Sequence, residues 1–546
     1  MILGLRFSFS SDTVQTLEED TSLKTPVVQR KTVGSLRPGD LLLMDASVSV
    51  RAGQAADDKT TAFLLRHRCT TVPVVQGITD QQTAADLLPR LQGPFHALRM
   101  RLVEKLKNIY TPYHETETAF CAKGKKKQIS DGILFERDPG PLYQPDIDAG
   151  SYDLLTPADL TSLQQELSQL YDGLERMTYR GPGVKPGKRS IPRVHFDSIR
   201  VGTQFQGERV AFVGDALPWH CVDTAIWFMV AMINLNKERL ERGIPYSDTR
   251  FDPNSTTQIT DEVRYRPEII QSAALGILLH AIGFAHRDVH QLLCAMWTRT
   301  LETGRYSTIA DIAQSDARLL QKQYFAVRNL LRNRDDIPPV ARMMVNLQYD
   351  YPDTCGYPAP FENRFLHEFI RMFHIIDSYD TLINPVYPQQ PAQKQMALEY
   401  IRRNAGSYVY SPEGYRPTQR FDFDLYCRWL HIMAPYYRYE LLHLCRPEDP
   451  DTPLYIVQVH SYSTSHLPVF SVRQDQQQRR YPFGALLLSL EHSVLMSIRD
   501  GQVTGRKKLD WAGDLVVREP AVGTSPVEGH PLYESERNLS RNTSRL

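Results

Sequence analysis

Neither sign of charge is in excess. The 546 residues carry 63 Lys+Arg and 63 Asp+Glu. No net field draws the whole molecule to nucleic acid or acidic lipid, and an electrostatic partner must meet a local patch. Cysteine is sparse and scattered. The seven thiols, Cys69, Cys121, Cys221, Cys294, Cys355, Cys427 and Cys445, lack the two-residue spacing of a zinc knuckle or a redox pair, and an odd, dispersed set fits a reducing compartment. No apolar run reaches the roughly 18 residues of a membrane-spanning helix. The opening MILGLRFSFSSDT has neither an apolar h-region nor a cleavage site and is not expected to act as a signal peptide. A glycine-rich phosphate loop, a serine nucleophile elbow, a reactive-cysteine motif and internal repeats are also missing. The expectation is a cytoplasmic protein with no membrane span and no nucleic-acid partner.

Apolar residues are ample, at 42%, enough for several cores in a chain this long. The pattern predicts a mainly α, multi-domain protein. Residues 1–30 are polar and expected to be loosely ordered. A small N-terminal α/β module is expected over 31–80, where Pro38-Gly39 suits a tight turn between short strands and DDKTTAFLLRHR reads as a helix. Residues 81–200 are mixed and mostly helical, ending in the linker RGPGVKPGKRS. Their clearest helix starts at Thr156 as N-cap with Pro157 behind it, followed by Leu163, Leu167 and Leu170 on one stripe. Residues 201–430 read as a helical bundle, 431–520 as a small C-terminal β-rich module, and 521–546 as a disordered tail.

Within the bundle, polar groups fall on apolar stripes. Leu366, Phe369, Ile370 and Phe373 recur at helical spacing, and Asp377 lies four residues beyond Phe373. A carboxylate on a core face is costly unless paired or bound to metal. His280 follows Ile269, Ala273 and Ile277 in a second helix, and His220 opens a third, behind Trp219. A single histidine on such a face is more often a hydrogen-bonded core residue than a ligand; three inward groups on three helices favour a shared site without saying whether it holds metal. Weaker candidates are His286 and His290, better read as a solvated helix turn, and Lys123, Lys125, Lys126 and Lys127, a basic run that suits either phosphate or plain solvation.

Over roughly residues 210–425 the chain resembles the HD-GYP domains, helical HD-superfamily metallohydrolases that cleave cyclic di-GMP. The resemblance is carried by HCVDTA, LLHAIGFA, DTCGYP, IIDSYDTLINPVYP and the later ALEYIRRNAG, and VGSLRPGDLLLMDASVSVRAG looks like the small domain that often precedes them. It implies a central HD-type bundle in which His220, His280 and Asp377 match metal ligands. It also implies losses. Ala281 stands where the bridging aspartate belongs, Phe284 replaces a lysine, Gln323 falls where a histidine opens the next helix, and Gln348, Tyr349 and Asp350 replace two histidines and a glutamate. Gly356, Tyr357 and Pro358 retain the loop that the family is held to use near its site and in partner contacts. Phosphodiester cleavage in this class needs two cations a few ångströms apart, and a two-metal centre is not expected from the residues that remain.

The expectation is therefore a catalytically degenerate, phosphodiesterase-like protein with no cofactor. It would act in cyclic di-GMP related signalling by binding the nucleotide, a signalling protein or a like subunit. Two alternatives stay open. One is an active phosphodiesterase using iron or manganese, with ligands borrowed from Asp223, Asp350 or Asp353. The other is a single metal on His220, His280 and Asp377. Without metal, Asp377 would accept hydrogen bonds from one or both histidines as a buried ion pair.

Overall fold

The structure, a computed structural model, describes residues within the spans 27–42, 55–76, 96–110, 155–180, 205–246, 263–296, 323–349, 366–384 and 392–518, several of them with short gaps. The loop residues Gly356, Tyr357 and Pro358, the carboxylates Asp350 and Asp353, the lysine run, residues 181–190 of the linker and the C-terminal tail lie outside the described residues. The described chain is mainly helical, with antiparallel sheet concentrated toward the C-terminus.

Near the N-terminus, β1 (Val27–Thr32), β2 (Leu41–Leu42) and β3 (Thr71–Gln76) form a sheet of order β1-β3-β2, with helix α1 (Asp58–Arg66) between β2 and β3. β1 thus begins inside the stretch expected to be loosely ordered. Its edge is not free, since Val28 bridges in parallel to Glu440, far along the chain. Lys31 and Asp40 form a buried ion pair at 2.7 Å that ties the turn to β1.

Helices α2 (His96–Ile109) and α3 (Pro157–Arg180) come next. The start of α3 is a reciprocal cap: Thr156 Oγ1 accepts from the Asp159 amide at 3.1 Å, and Asp159 accepts from the Thr156 amide at 2.9 Å. The short strands β4 (Phe205–Gln206) and β5 (Arg209–Val210) precede α4 (Val213–Glu241). From Leu217 to Ile233 every residue of α4 is buried, because it packs against α2, α3 and three further helices. Gly243, at φ +76°, ends it: Ile244 N–H returns to the Arg239 carbonyl and Gly243 N–H to that of Leu240. Helix α5 (Pro267–Leu279) carries its proline at N1 and stops at His280. The stretch Pro267–Ala285 is long and apolar enough to cross a membrane, contrary to the expectation of no such run, but 78% of its most apolar 18-residue window is buried inside the protein.

Helices α6 (Pro339–Asn346), α7 (Glu368–Ile383), α8 (Lys394–Arg403) and α9 (Phe423–Ile432) complete the bundle. α7 carries the expected stripe, with Phe369, Ile370 and Phe373 all buried. One hydrophobic core runs through α2, α3, α4, α5, α6, α7, α8 and α9, so helices from the 81–200 region help to build the interior of the bundle. Between α8 and α9 lie β6 (Ala405–Gly406), β7 (Tyr408–Ser411), β8 (Gly414–Pro417) and β9 (Phe421–Asp422).

Beyond the bundle, β10 (Leu441–Arg446), β11 (Asp449–Tyr462), β12 (Pro468–Gln474), β13 (Leu486–Ser489), β14 (Val494–Arg499), β15 (Gln502–Lys508) and β16 (Val516–Arg518) form a seven-stranded sheet of order β15-β14-β13-β12-β11-β10-β16. Each named pairing in it is antiparallel. Its own core is built from Leu442, Leu444, Val457, Val459, Phe470, Val472 and Leu488, separate from that of the bundle.

Candidate functional site

Three elements bring His220, His280 and Asp377 together. His220 lies two turns into α4 rather than at its start, because the helix begins at Val213 and runs through Pro218. His280 is not within a helix but at the C-cap of α5, where Ala281 (φ −97°, ψ 6°) leaves the helical region and a 3-10 turn over Ile282–Ala285 follows. Asp377 comes from α7. His220 Nε2 is 3.0 Å from Asp377 Oδ1 and 3.1 Å from His280 Nε2, and His280 Nε2 is 3.6 Å from the same Asp377 oxygen. Both imidazoles are buried, while the Asp377 side chain keeps 15% exposure and is the least buried of the three.

The far sides of both rings are fixed. His220 Nδ1 is 2.6 Å from Asp380 Oδ2, and Asn384 donates to the other Asp380 oxygen at 3.1 Å. His280 Nδ1 is 2.6 Å from the Ile277 carbonyl. A carbonyl only accepts, so His280 Nδ1 is the donor; the Asp380 carboxylate imposes the same tautomer on His220. The two Nε2 atoms therefore point at one spot, beside a carboxylate oxygen. Three acceptors cannot face one another there without a proton or a cation between them.

The charge states reflect this crowding. Burial alone would push the His220 pKa down, but hydrogen bonds to Asp377 and Asp380 outweigh it and raise it from 6.5 to about 9. Burial likewise opposes charge on His280, and the adjoining Cys221 and Asp377 raise it to about 10. Asp377 is penalised by burial yet held well below the usual carboxylate range by the two imidazoles. Among the described residues, His220, His280 and Asp377 form a group whose ligand atoms all lie within 4.8 Å of one another. Donor atoms on one tetrahedral cation, at bond lengths of about 2.1 Å, sit roughly 3.4 Å apart, which the three separations bracket. The carboxylate–histidine contact behind His220 is the usual support of a metal-bound imidazole.

The positions that the resemblance assigns to further ligands are differently used. Gln323 Nε2 donates to the Tyr349 hydroxyl at 2.7 Å. Gln348 is 1% exposed, and among the described residues no hydrogen bond engages its side-chain nitrogen or oxygen. Ala281 is buried, and a Cβ added at Gly283 would overlap the Gln323 carbonyl, so the turn after His280 is pressed against the residue in the expected histidine position. Asp223 is not free to substitute as a ligand: Arg99 Nε and Nη2 grip its two oxygens at 2.6 and 2.8 Å. His286 is not solvated as expected but buried at 2% exposure.

Sequence reasoning passed over Asp380, His374, Tyr110 and Arg99. Asp380 lies one helical turn beyond Asp377, a spacing that puts both carboxylates on one side of α7. His374 is buried one turn before Asp377, its Nε2 3.3 Å from the Leu347 carbonyl, and burial lowers its pKa to about 4. Tyr110 and Arg99 carry no local signal, since their partners lie more than 100 residues away.

No family model matches the chain, and no curated protein matches it. Among solved structures, an HDG"Y"P protein from Bdellovibrio bacteriovorus matches at 11% identity, covering 74% of this chain and 98% of that one, with a TM-score of 0.30. That likeness is weak and decides nothing about function.

Proposed function

We propose that this chain is a binding module built on an HD-type helical core and that it does not hydrolyse phosphodiesters. The observation behind the reading is the Gln323–Tyr349 hydrogen bond, formed by side chains at positions where the resemblance implies metal-binding imidazoles. A carboxamide and a phenol are poor divalent-metal ligands beside imidazole, and the Tyr349 hydroxyl is already engaged as acceptor of the Gln323 amide. Ala281 offers no lone pair where a bridging carboxylate would offset repulsion between two cations. The ligand is cyclic di-GMP, or the partner is a signalling protein or a second copy of the chain. The test is incubation with cyclic di-GMP and manganese or ferrous iron, with chromatography of the products and calorimetry of binding. The expected result is heat of binding or a thermal shift and no linear dinucleotide. Turnover to linear product refutes the reading, and the absence of both heat and shift removes cyclic di-GMP as the ligand and favours a structural bundle.

A second reading concerns what the centre holds. The convergence of two fixed Nε2 atoms on one Asp377 oxygen fits a single divalent cation, iron or manganese, bound by His220, His280 and Asp377. Such an ion would supply Lewis acidity at an open position. The chain's own contribution is orientation: Asp380 fixes the ring of His220, the Ile277 carbonyl fixes that of His280, and in the metal-free protein a proton on Nε2 takes the place of the ion. Metal analysis after loading checks this, with His220→Ala expected to abolish uptake.

A further inference from the structure

Among the described residues, α2 makes polar contacts with the segments of α4 and α5 that carry the two histidines. Arg99 pairs with Asp223 at 2.6 Å, both nearly fully buried, and its guanidinium lies 4.5 Å over the Trp219 ring. At the far end of the helix the wholly buried Tyr110 donates its hydroxyl to the Leu278 carbonyl at 2.8 Å and stands 3.1 Å from Cys221 Sγ. Trp219, Cys221 and Asp223 flank His220 on α4, and Leu278 lies two residues before His280. One helix thus grips both histidine-bearing segments. The grip on the His280 segment runs through the backbone: Tyr110 satisfies the Leu278 carbonyl while His280 Nδ1 satisfies that of Ile277, so the two side chains cap adjacent carbonyls of one helix end. Cys221 joins them, 3.8 Å from His280 Nδ1.

We propose that α2 is the positioning element of the centre: Arg99 and Tyr110 set the separation of the His220 and His280 Nε2 atoms. A helix that shares the bundle's core then governs what the centre can hold. Moving α2 separates the buried Arg99–Asp223 charges and uncaps Leu278 in the same displacement, so the helix moves with both histidine segments or not at all. Asp223, which sequence offered as a spare ligand, serves instead as the anchor for this helix.

The inference rests on reading the triad as the functional centre, and its test separates the two. The probe is Mn2+ alone, titrated into metal-free full-length chain and followed by loss of the free-ion paramagnetic signal. A second readout is the set of ring 15N resonances of His280 without metal. Tyr110→Phe removes one oxygen and keeps the packing. It should leave the circular dichroism unchanged, weaken Mn2+ by about 10-fold, the lower end of the effect of losing an outer-shell partner, and turn one His280 ring state into a mixture. Arg99→Met should act in the same direction, and Arg99→Lys, which keeps the charge, should recover most of the loss. If Tyr110→Phe and Arg99→Met lower the melting temperature but leave ring signals and Mn2+ affinity unchanged, α2 is packing and nothing more, and the proposal is overturned. If the wild type takes up no Mn2+, the single-cation reading fails, and the His280 ring signals alone decide for or against positioning.

Discussion

Asp377→Ala probes the centre most directly. In the metal-free protein its carboxylate faces two buried imidazoles at 3.0 and 3.6 Å. His220 titrates at about 9 instead of 6.5, with Asp377 the leading favourable contribution against burial. That rise corresponds to roughly 3 kcal/mol of stabilisation, shared between Asp377 and Asp380. Stranding a second imidazole adds to the loss, and breaking one side of a buried pair costs about 3–5 kcal/mol. A deficit of about 3 kcal/mol at pH 7 translates into a melting temperature lower by roughly 6–12 °C for a domain of this size. The sign with pH is fixed. The histidine pKa values are raised on folding, so their contribution is complete below about 6.5 and disappears as pH climbs through about 9 and about 10. Asp377 is depressed, so its contribution is present above about 3.8 and is lost on acidification. The deficit is therefore largest between about pH 4 and 6.5 and shrinks to about 1 kcal/mol, the worth of an ordinary hydrogen bond, near pH 10. Chemical denaturation of wild type and variant across pH, in chelator, measures it. An unchanged melting point at pH 7, or an equal deficit at pH 10, refutes the ion pair.

Ala281→Asp places a carboxylate at a buried position beside His280 and should lower stability by several kcal/mol in chelator, with part recovered on adding Mn2+; thermal melts with and without the ion read both. Gly283→Ala drives a methyl into the Gln323 carbonyl and should cost about 1–3 kcal/mol while disturbing the Gln323–Tyr349 contact, seen as a change in tyrosine near-ultraviolet dichroism. Thr156→Ala removes one half of the reciprocal cap on α3 and should cost about 1 kcal/mol without effect on the centre, checked by denaturant melts and Mn2+ titration together.

Legibility followed locality. The start of α3 was readable because its signals are local: Pro157 stands at the first helical position, and Thr156 caps with Asp159, three residues on. The core face of α7 was readable because Phe369, Ile370 and Phe373 keep helical period. His280 was misplaced within its helix: its stripe extends α5, but Ala281 breaks the helix, and apolar pattern does not register where a buried helix changes to 3-10. The strand β15, QVTGRKK, is exposed at every position and so has no inward-facing alternation to betray it. Asp380 and Tyr110 act across 160 and 111 residues of sequence, and a hydrogen bond at that range leaves no periodic trace.

Charge balance sets the ceiling on what the centre can take. Asp377 and Asp380 bring two negative charges to two imidazoles that are neutral when their Nε2 atoms are bare. Two protons cancel that charge, and so does one divalent cation, which is why the same geometry accommodates an ion pair or a single metal. A second divalent cation would leave two positive charges in a buried site, at several kcal/mol each, and among the described residues neither Ala281 nor the Gln323–Tyr349 pair can answer them. Uptake should therefore saturate at one Mn2+ per chain and release about two protons when measured between pH 6 and 7, in paired buffers of different ionisation enthalpy. Saturation at two would show that carboxylates from outside the described residues complete the centre, and with it the case against hydrolysis would fall.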